Sequence, residues 1–277
     1  MAKSPLIWFG GKGKVAEHII SRMPVHKSYI EPFGGAAHVI AAKPRVSLEV
    51  YNDIDGVVVN FIMTAIEEPE RLARACAPIP YSRHLYETWK TQPLPVERFA
   101  RAVRYFYMNR CGIAKGNRRE VSNTGWRHST MPGQNPAVGY QTAVRRIEDF
   151  SLRMTGVQIE RKDFREIIQR YDHEDALFYI DPPYIGKEKW YAGNFTEDDH
   201  RDLAALLQQI KGKAIVSYYD DPLLHELYPC WRRETFDSFK HRPGGNNDYA
   251  EELLLFNWQE EHKEQDKPQT EQLGLLV

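Results

Sequence analysis

Three cysteines in 277 residues, Cys76, Cys111 and Cys230, are few, widely spaced and odd in number. They exclude a disulfide framework and zinc sites built on paired cysteines, and they suit a reducing cytoplasm. No apolar run is long enough to cross a bilayer, and "MAKSPLIWFGGKGK" has no leader-like apolar core, so no membrane partner is expected. Internal repeats are absent too. So is net charge: 37 Lys and Arg against 38 Asp and Glu leave −1, which names no partner. The charge is unevenly spread, however. Tyr81 to Phe150 holds twelve Lys/Arg and five Asp/Glu, a local balance of 12 − 5 = +7. A basic middle in a neutral chain suits a polyanion-facing surface.

Short apolar runs rich in β-branched and aromatic residues lie at 28–31, 46–53, 156–160, 176–181, 213–219 and 251–258, and read as strands. Helical spacing lies between many of them: Val15, Ile19 and Met23; Val58, Ile62 and Ile66; and Leu203, Leu206, Leu207 and Ile210 after a Thr196/Asp199 capping pair. The alternation gives an α/β fold with a largely parallel sheet. Residues 68–151 break the rhythm. They open with helical patterns ("SRHLYETWK", "VERFARAVRYFYMNR") and pass into "CGIAKGNRREVSNTGWRHSTMPGQNPAVGY", which is loop-rich and basic. We expect a catalytic domain from 1–67 and 152–258, an inserted domain at 68–151, and a polar, flexible tail at 259–277.

Four motifs carry chemistry. "EPFGG" ends a strand in a tight glycine turn that lets backbone approach a ligand. The full G-x-G-x-x-G spacing is missing, so a dinucleotide site is not signalled. Asp53 ends the next strand, where an acid suits either ribose hydroxyls or a helix N-cap. "WFGGK" puts glycines and lysine before a helix but is no P-loop. The fourth is "DPPY", Asp181-Pro182-Pro183-Tyr184, at the end of the strand "ALFYI". Two prolines stop the strand rigidly. The Asp181 carboxylate and the Pro182 carbonyl are then two fixed acceptors, and Tyr184 a flat face. Two acceptors suit an NH2 group and the ring suits a stacked base, so the motif fits the exocyclic amine of a nucleobase.

These motifs, in this order, resemble those of the Dam-like adenine-N6 DNA methyltransferases (D12 class, alpha-type), from about Leu6 to Asn257. "WFGGK" (8–12), "EPFGG" (31–35), "NDI" (52–54), "KDF" (162–164), "DPPY" (181–184) and the "FT…H…L" pattern (195–203) are similar to the family's motifs, and "FYMNRCG" (106–112) to its entry into a DNA-reading insertion. One departure is visible: Ala37 stands at the last glycine of the usual F-x-G-x-G. The resemblance implies a Rossmann-like sheet binding S-adenosylmethionine (SAM), with an inserted helical and hairpin target-recognition domain. It implies that Trp8, Gly11 and Lys12 border the cofactor and that Pro32, Phe33, Gly34 and Gly35 line its methionine side. Asp53 would take the ribose, Ile54 would pack on the adenine, and Asp163 and Phe164 would hold the adenine ring. Asp181 and Pro182 would accept from the target N6, and Tyr184 would stack on the flipped base. In this reading the acceptors localise the amine's lone pair, and the activated methyl needs positioning more than acid–base power.

Double-stranded DNA is then the expected partner. Arg110, Lys115, Asn117, Arg118, Arg119, Trp126 and Arg127 in the insertion, with Lys187 after DPPY, are the candidate contacts. Rival readings are cytosine-N4 methylation and a NAD-dependent oxidoreductase. A cytosine-C5 reading of "YPCW" (228–231) is set aside, and Cys230 is expected to be packed. The ending "QLGLL", Gln272 to Leu276, is similar to peptides that dock on the DNA sliding clamp, so a clamp contact is also expected.

Overall fold

The computed structural model describes residues 2–8, 10–113, 125–188, 191–240 and 248–259. Among these, seven strands form one sheet: β1 Ser28–Glu31, β2 Leu48–Asn52, β3 Gln158–Glu160, β4 Ala176–Ile180, β5 Lys213–Tyr218, β6 Arg232–Lys240 and β7 Asp248–Phe256. Their order is β3-β2-β1-β4-β5-β7-β6. β7 runs antiparallel between β5 and β6, and the β3-β2-β1-β4-β5 pairings are parallel. A dinucleotide fold in its usual 3-2-1-4-5-6 order has no such antiparallel strand. The arrangement is that of a Rossmann-like methyltransferase.

Consecutive residues of a strand face opposite sides of the sheet. In β4, Leu177 and Tyr179 join one hydrophobic cluster, while Ala176, Phe178 and Ile180 join the other. Both faces are covered, which is why the run is continuously apolar. Helices α1 Ala16–Ile20, α2 His38–Ala42, α3 Gly56–Glu67, α4 Pro69–Cys76, α5 Arg83–Lys90, α6 Arg98–Cys111 and α7 Pro136–Met154 contribute to the first cluster. Helices α8 Phe164–Tyr171, α9 Glu197–Leu207 and α10 Pro222–Leu227 contribute to the second.

The helices of 68–151 share the first cluster with the sheet. Phe61 of α3 stacks on Phe106 of α6 at 5.7 Å, and Tyr140 of α7 donates to the Cys76 carbonyl at 2.8 Å. After α6 the chain leaves through Gly112–Ile113 and returns through Gly125–Trp126 as an antiparallel stem. Ile113 N donates to Gly125 O at 2.8 Å, and Arg127 N to Cys111 O at 2.8 Å.

Two sequence expectations need correction. β6 was not expected, because "RRETFDSFK" opens with three charged residues, holds only two apolar ones and lacks an apolar run. Cys230 is exposed in the turn after α10 rather than packed, because the chain turns outward there between Tyr228, buried in the second cluster, and Trp231, packed against it.

Glu31 ends β1 fully buried, its Oε1 accepting from Tyr29 OH at 2.7 Å. Burial pushes its carboxyl up to about 8. With an ordinary value of 4.5 when unfolded, the folded state holds one extra proton across that window. The contribution of Glu31 to stability is therefore greatest below 4.5 and falls by about 1.4 kcal/mol per pH unit as pH rises to about 8. Urea melts at pH 6, 7 and 8 should show Glu31→Gln gaining steadily on the parent. A constant gap would contradict this.

Candidate active site

The parallel sheet changes direction between β1 and β4, and ligands of α/β sheets bind at such a switch point. Both strands end there in chemistry: Glu31 runs into Pro32–Gly35, and Ile180 into Asp181–Tyr184. A cavity opens over these ends, with about 700 Å³ of empty space when the open solvent at its mouth is counted. Trp8, Pro32, Phe33, Gly35, Asp53, Ile54, Asp163, Phe164 and Asp181 all line it. A smaller recess of about 290 Å³ beside it is lined by Gly11, Lys12 and Gly34, and it shares Trp8, Phe33, Gly35 and Asp181 with the first. The structure thus gathers every residue expected to border the cofactor, with Asp181 where the two spaces meet.

The glycine turn is held from several sides. Gly34 N donates to Asn52 O at 2.7 Å, Gly35 N to Asp53 Oδ2 at 2.8 Å, and Tyr51 OH to Gly35 O at 2.6 Å. Gly35 has φ +49°, and a Cβ there would meet the Trp8 indole at 2.6 Å. Ala37, at the departure from the resembling motif, is left-handed with φ 56°, so alanine here adopts the backbone that favours glycine.

Asp53 is not a helix cap: Asp55 caps α3 by accepting from Val57 N at 2.8 Å. Asp53 instead receives Gly35 N and Asp55 N, and burial with Asp55 nearby pushes its carboxyl up to about 7. Asp163 caps α8 through Arg165 N at 2.9 Å. Phe33, Phe164 and Phe195 make an aromatic wall with centroids 5.3–5.8 Å apart. Ile54 is 45% exposed at the mouth, an apolar side chain with open space over it. Sequence reasoning missed Asn52 as a staple: its amide donates to Pro32 O and Lys162 O and its oxygen accepts from Lys162 N.

At DPPY, the buried Lys12 ammonium donates to Asp181 Oδ1 at 2.8 Å, Tyr184 OH at 2.6 Å and Gly10 O at 3.0 Å. Burial alone would lower the Lys12 pKa, but Asp181 and Glu252 beside it override this and hold it protonated. Burial raises Asp181, and Lys12 opposes that. Tyr184 is 5% exposed, with its hydroxyl also bonded to Ser217 at 3.1 Å and its ring edge-on to Tyr219. Pro182 and Pro183 are buried beneath the turn. The following loop is anchored by Glu188, which accepts from Gly186 N and faces the buried His200, itself bonded to Tyr218 OH at 2.7 Å. Tyr191, Ala192 and Gly193 bring this loop over the cavity.

The candidate DNA contacts divide. Lys187 is exposed on the post-DPPY loop. Arg110 donates to Gly139 O at 3.0 Å and Arg127 to Gly112 O at 3.2 Å, so both brace the stem and its neighbours. Trp126 packs on Tyr81 and Tyr86, with centroids 4.4 and 5.6 Å away. Lys115, Asn117, Arg118 and Arg119, and the Gln272–Leu276 ending, lie outside the described residues. No helix among the described residues is long and apolar enough to cross a membrane.

Five acids (Asp53, Asp55, Asp163, Asp181, Asp199) and one lysine, Lys162, line the cavity, with Lys12 paired to Asp181 and Arg165 to Asp163 and Asp199. The lining suits a nucleoside, with the phenylalanine wall for a purine and acids for its hydroxyls.

Comparison with known proteins agrees. A family model described as D12 class N6 adenine-specific DNA methyltransferase matches residues 8–239. The chain is 25% identical over 245 residues to the DNA N-6-adenine-methyltransferase of Escherichia phage P1, covering 80% of this chain and 30% of that protein. It is 25% identical over 244 residues to a DNA adenine methylase of Vibrio cholerae serotype O1, covering 80% of this chain and 83% of that protein. The chain thus spans under a third of the phage relative's length and most of the Vibrio one's.

Proposed function

The chain belongs to the D12 class N6 adenine-specific DNA methyltransferase family, and on that footing we propose that it moves a methyl group from SAM to the N6 of an adenine flipped out of duplex DNA. The observation that carries this is Asp181 standing between an acid-lined, aromatic-walled cavity and the DPPY turn. Phe164 and Ile54 would hold the cofactor's adenine with Asp163, Asp53 would take the ribose, and Trp8 with Pro32–Gly35 would line the methionine end. When bound, SAM supplies a methyl already activated by its sulfonium. The protein's part is placement: Asp181 and the Pro182 carbonyl accept the amine's hydrogens and direct its lone pair at the methyl, and the Asp181 carboxylate offsets the positive charge that grows on N6. Tyr184 stacks on the base, whose removal from the helix costs a few kcal/mol. The basic stretch between Tyr81 and Phe150 and the exposed Lys187 face the phosphates.

Titration calorimetry tests the cofactor half on its own. SAM should bind and NAD should not. NAD binding without SAM binding would reopen the oxidoreductase reading.

A further inference from the structure

Glu252 sits in β7 after the exposed Glu251 and before Leu253, Leu254 and Leu255, and is itself only 5% exposed. Packing alone would put an apolar side chain there, since burying an acceptor without a partner costs free energy. Its Oε2 has no hydrogen-bond partner, yet it lies 3.6 Å from Lys12 Nζ. β7 runs antiparallel to β5, with Tyr218 opposite Leu253. Glu252 therefore lies at the carboxyl end of β5, on the same side of the sheet as DPPY.

Lys12 has three N–H donors, and Asp181, Tyr184 and Gly10 take all three. An ammonium locked to Asp181 creates a problem for the proposed reaction. It holds the oxygen that the target amine needs, and it cancels the charge that should offset the cation forming on N6. A second carboxylate against the same lysine answers both difficulties. Counting both carboxylates as ionised, two acids and one ammonium leave an excess of one negative charge, and an acceptor is ready when Lys12 gives up Asp181.

We propose that Glu252 is the counter-ion of Lys12, a positioning residue that draws the ammonium aside and frees Asp181 for the target amine. This rests on the methyl-transfer reading above. Glu252 acts through Lys12 and touches neither cofactor nor base.

The test is single-turnover methylation of DNA with labelled SAM, beside SAM titration and a thermal melt, for parent, Glu252→Gln, Lys12→Met and the double variant. Glu252→Gln should slow methyl transfer roughly 10- to 100-fold, since one preorganised charge is removed at second hand. SAM affinity should stay within about threefold of the parent, because the residue does not border the larger cavity. In the Lys12→Met background the same change should have almost no effect, since paired residues are non-additive. Parental rate in Glu252→Gln, or losses that multiply in the double variant, overturns the inference. Should Glu252→Gln not fold, Glu252→Asp takes its place. It keeps the charge one methylene farther away and should slow the rate only a few-fold, again not beyond Lys12→Met alone. No methylated product from the parent overturns the methyl-transfer reading, and this inference with it.

Discussion

Asp181→Ala is expected to slow methyl transfer about 10²–10³-fold while SAM still binds. The carboxylate sits where the two spaces of the site meet and is the carboxylate nearest the buried Lys12 ammonium, at 2.8 Å. Loss of one preorganised group at a charge-developing centre costs about 10²–10³ in rate. Alanine also strips Lys12 of its carboxylate at hydrogen-bond distance, so some stability is lost besides. Asp181→Asn separates the two effects, because it keeps the volume and one acceptor oxygen but not the charge. It should melt near the parent and still be at least about 10²-fold slower in single turnover. More than a tenth of the parental rate in Asp181→Asn would remove the carboxylate from the chemistry.

The second large effect concerns the cofactor wall. A Cβ on Gly34 would run into the Tyr51 ring. That ring cannot yield easily: Tyr51 is fully buried, and its hydroxyl is bonded to Gly35 O at 2.6 Å. The glycine turn must move instead, and with it the Pro32–Gly35 wall. Overpacking of this kind costs roughly 1–3 kcal/mol. Misplacing a binding wall by an ångström is enough to cost about 10²-fold. Gly34→Ala should therefore melt lower and bind SAM at least about tenfold more weakly. Gly133→Ala is the control: its φ is +80° but nothing lies within 4 Å. It should strain its own turn and leave SAM affinity alone. Equal affinity in Gly34→Ala and the parent would mean that the turn does not line the cofactor site.

Much of this site could be read from the sequence because its parts are local. A strand that stops at Asp181-Pro182-Pro183, and a glycine pair after Glu31, announce themselves over a few residues. The buried strands β1, β2, β4 and β5 were equally visible, since a sheet covered on both faces must be apolar throughout. What stayed hidden depends on contacts distant in the chain. β6 is mostly charged and polar, so its register comes from pairing with β7 rather than from its own composition. Glu252 looks like the polar edge of "EELLLFNW" until the fold brings Lys12 to 3.6 Å from it. Asn52 looks like half of an ordinary turn, and only the fold shows it tying Pro32 to Lys162. Trp126 is a similar case: the sequence shows only a tryptophan in a basic loop, and the fold adds its packing on Tyr81 and Tyr86.

The central claim is the identity of the methylated atom. Unmethylated duplex DNA incubated with the chain and labelled SAM, then digested to nucleosides and separated, reads it directly. Label is expected in N6-methyladenine, at least about 10²-fold slower when Asp181→Ala replaces the parent. Label in N4-methylcytosine would contradict the assignment of the base while keeping the fold and the donor. No labelled nucleoside from a chain that binds both SAM and DNA would contradict the reaction itself.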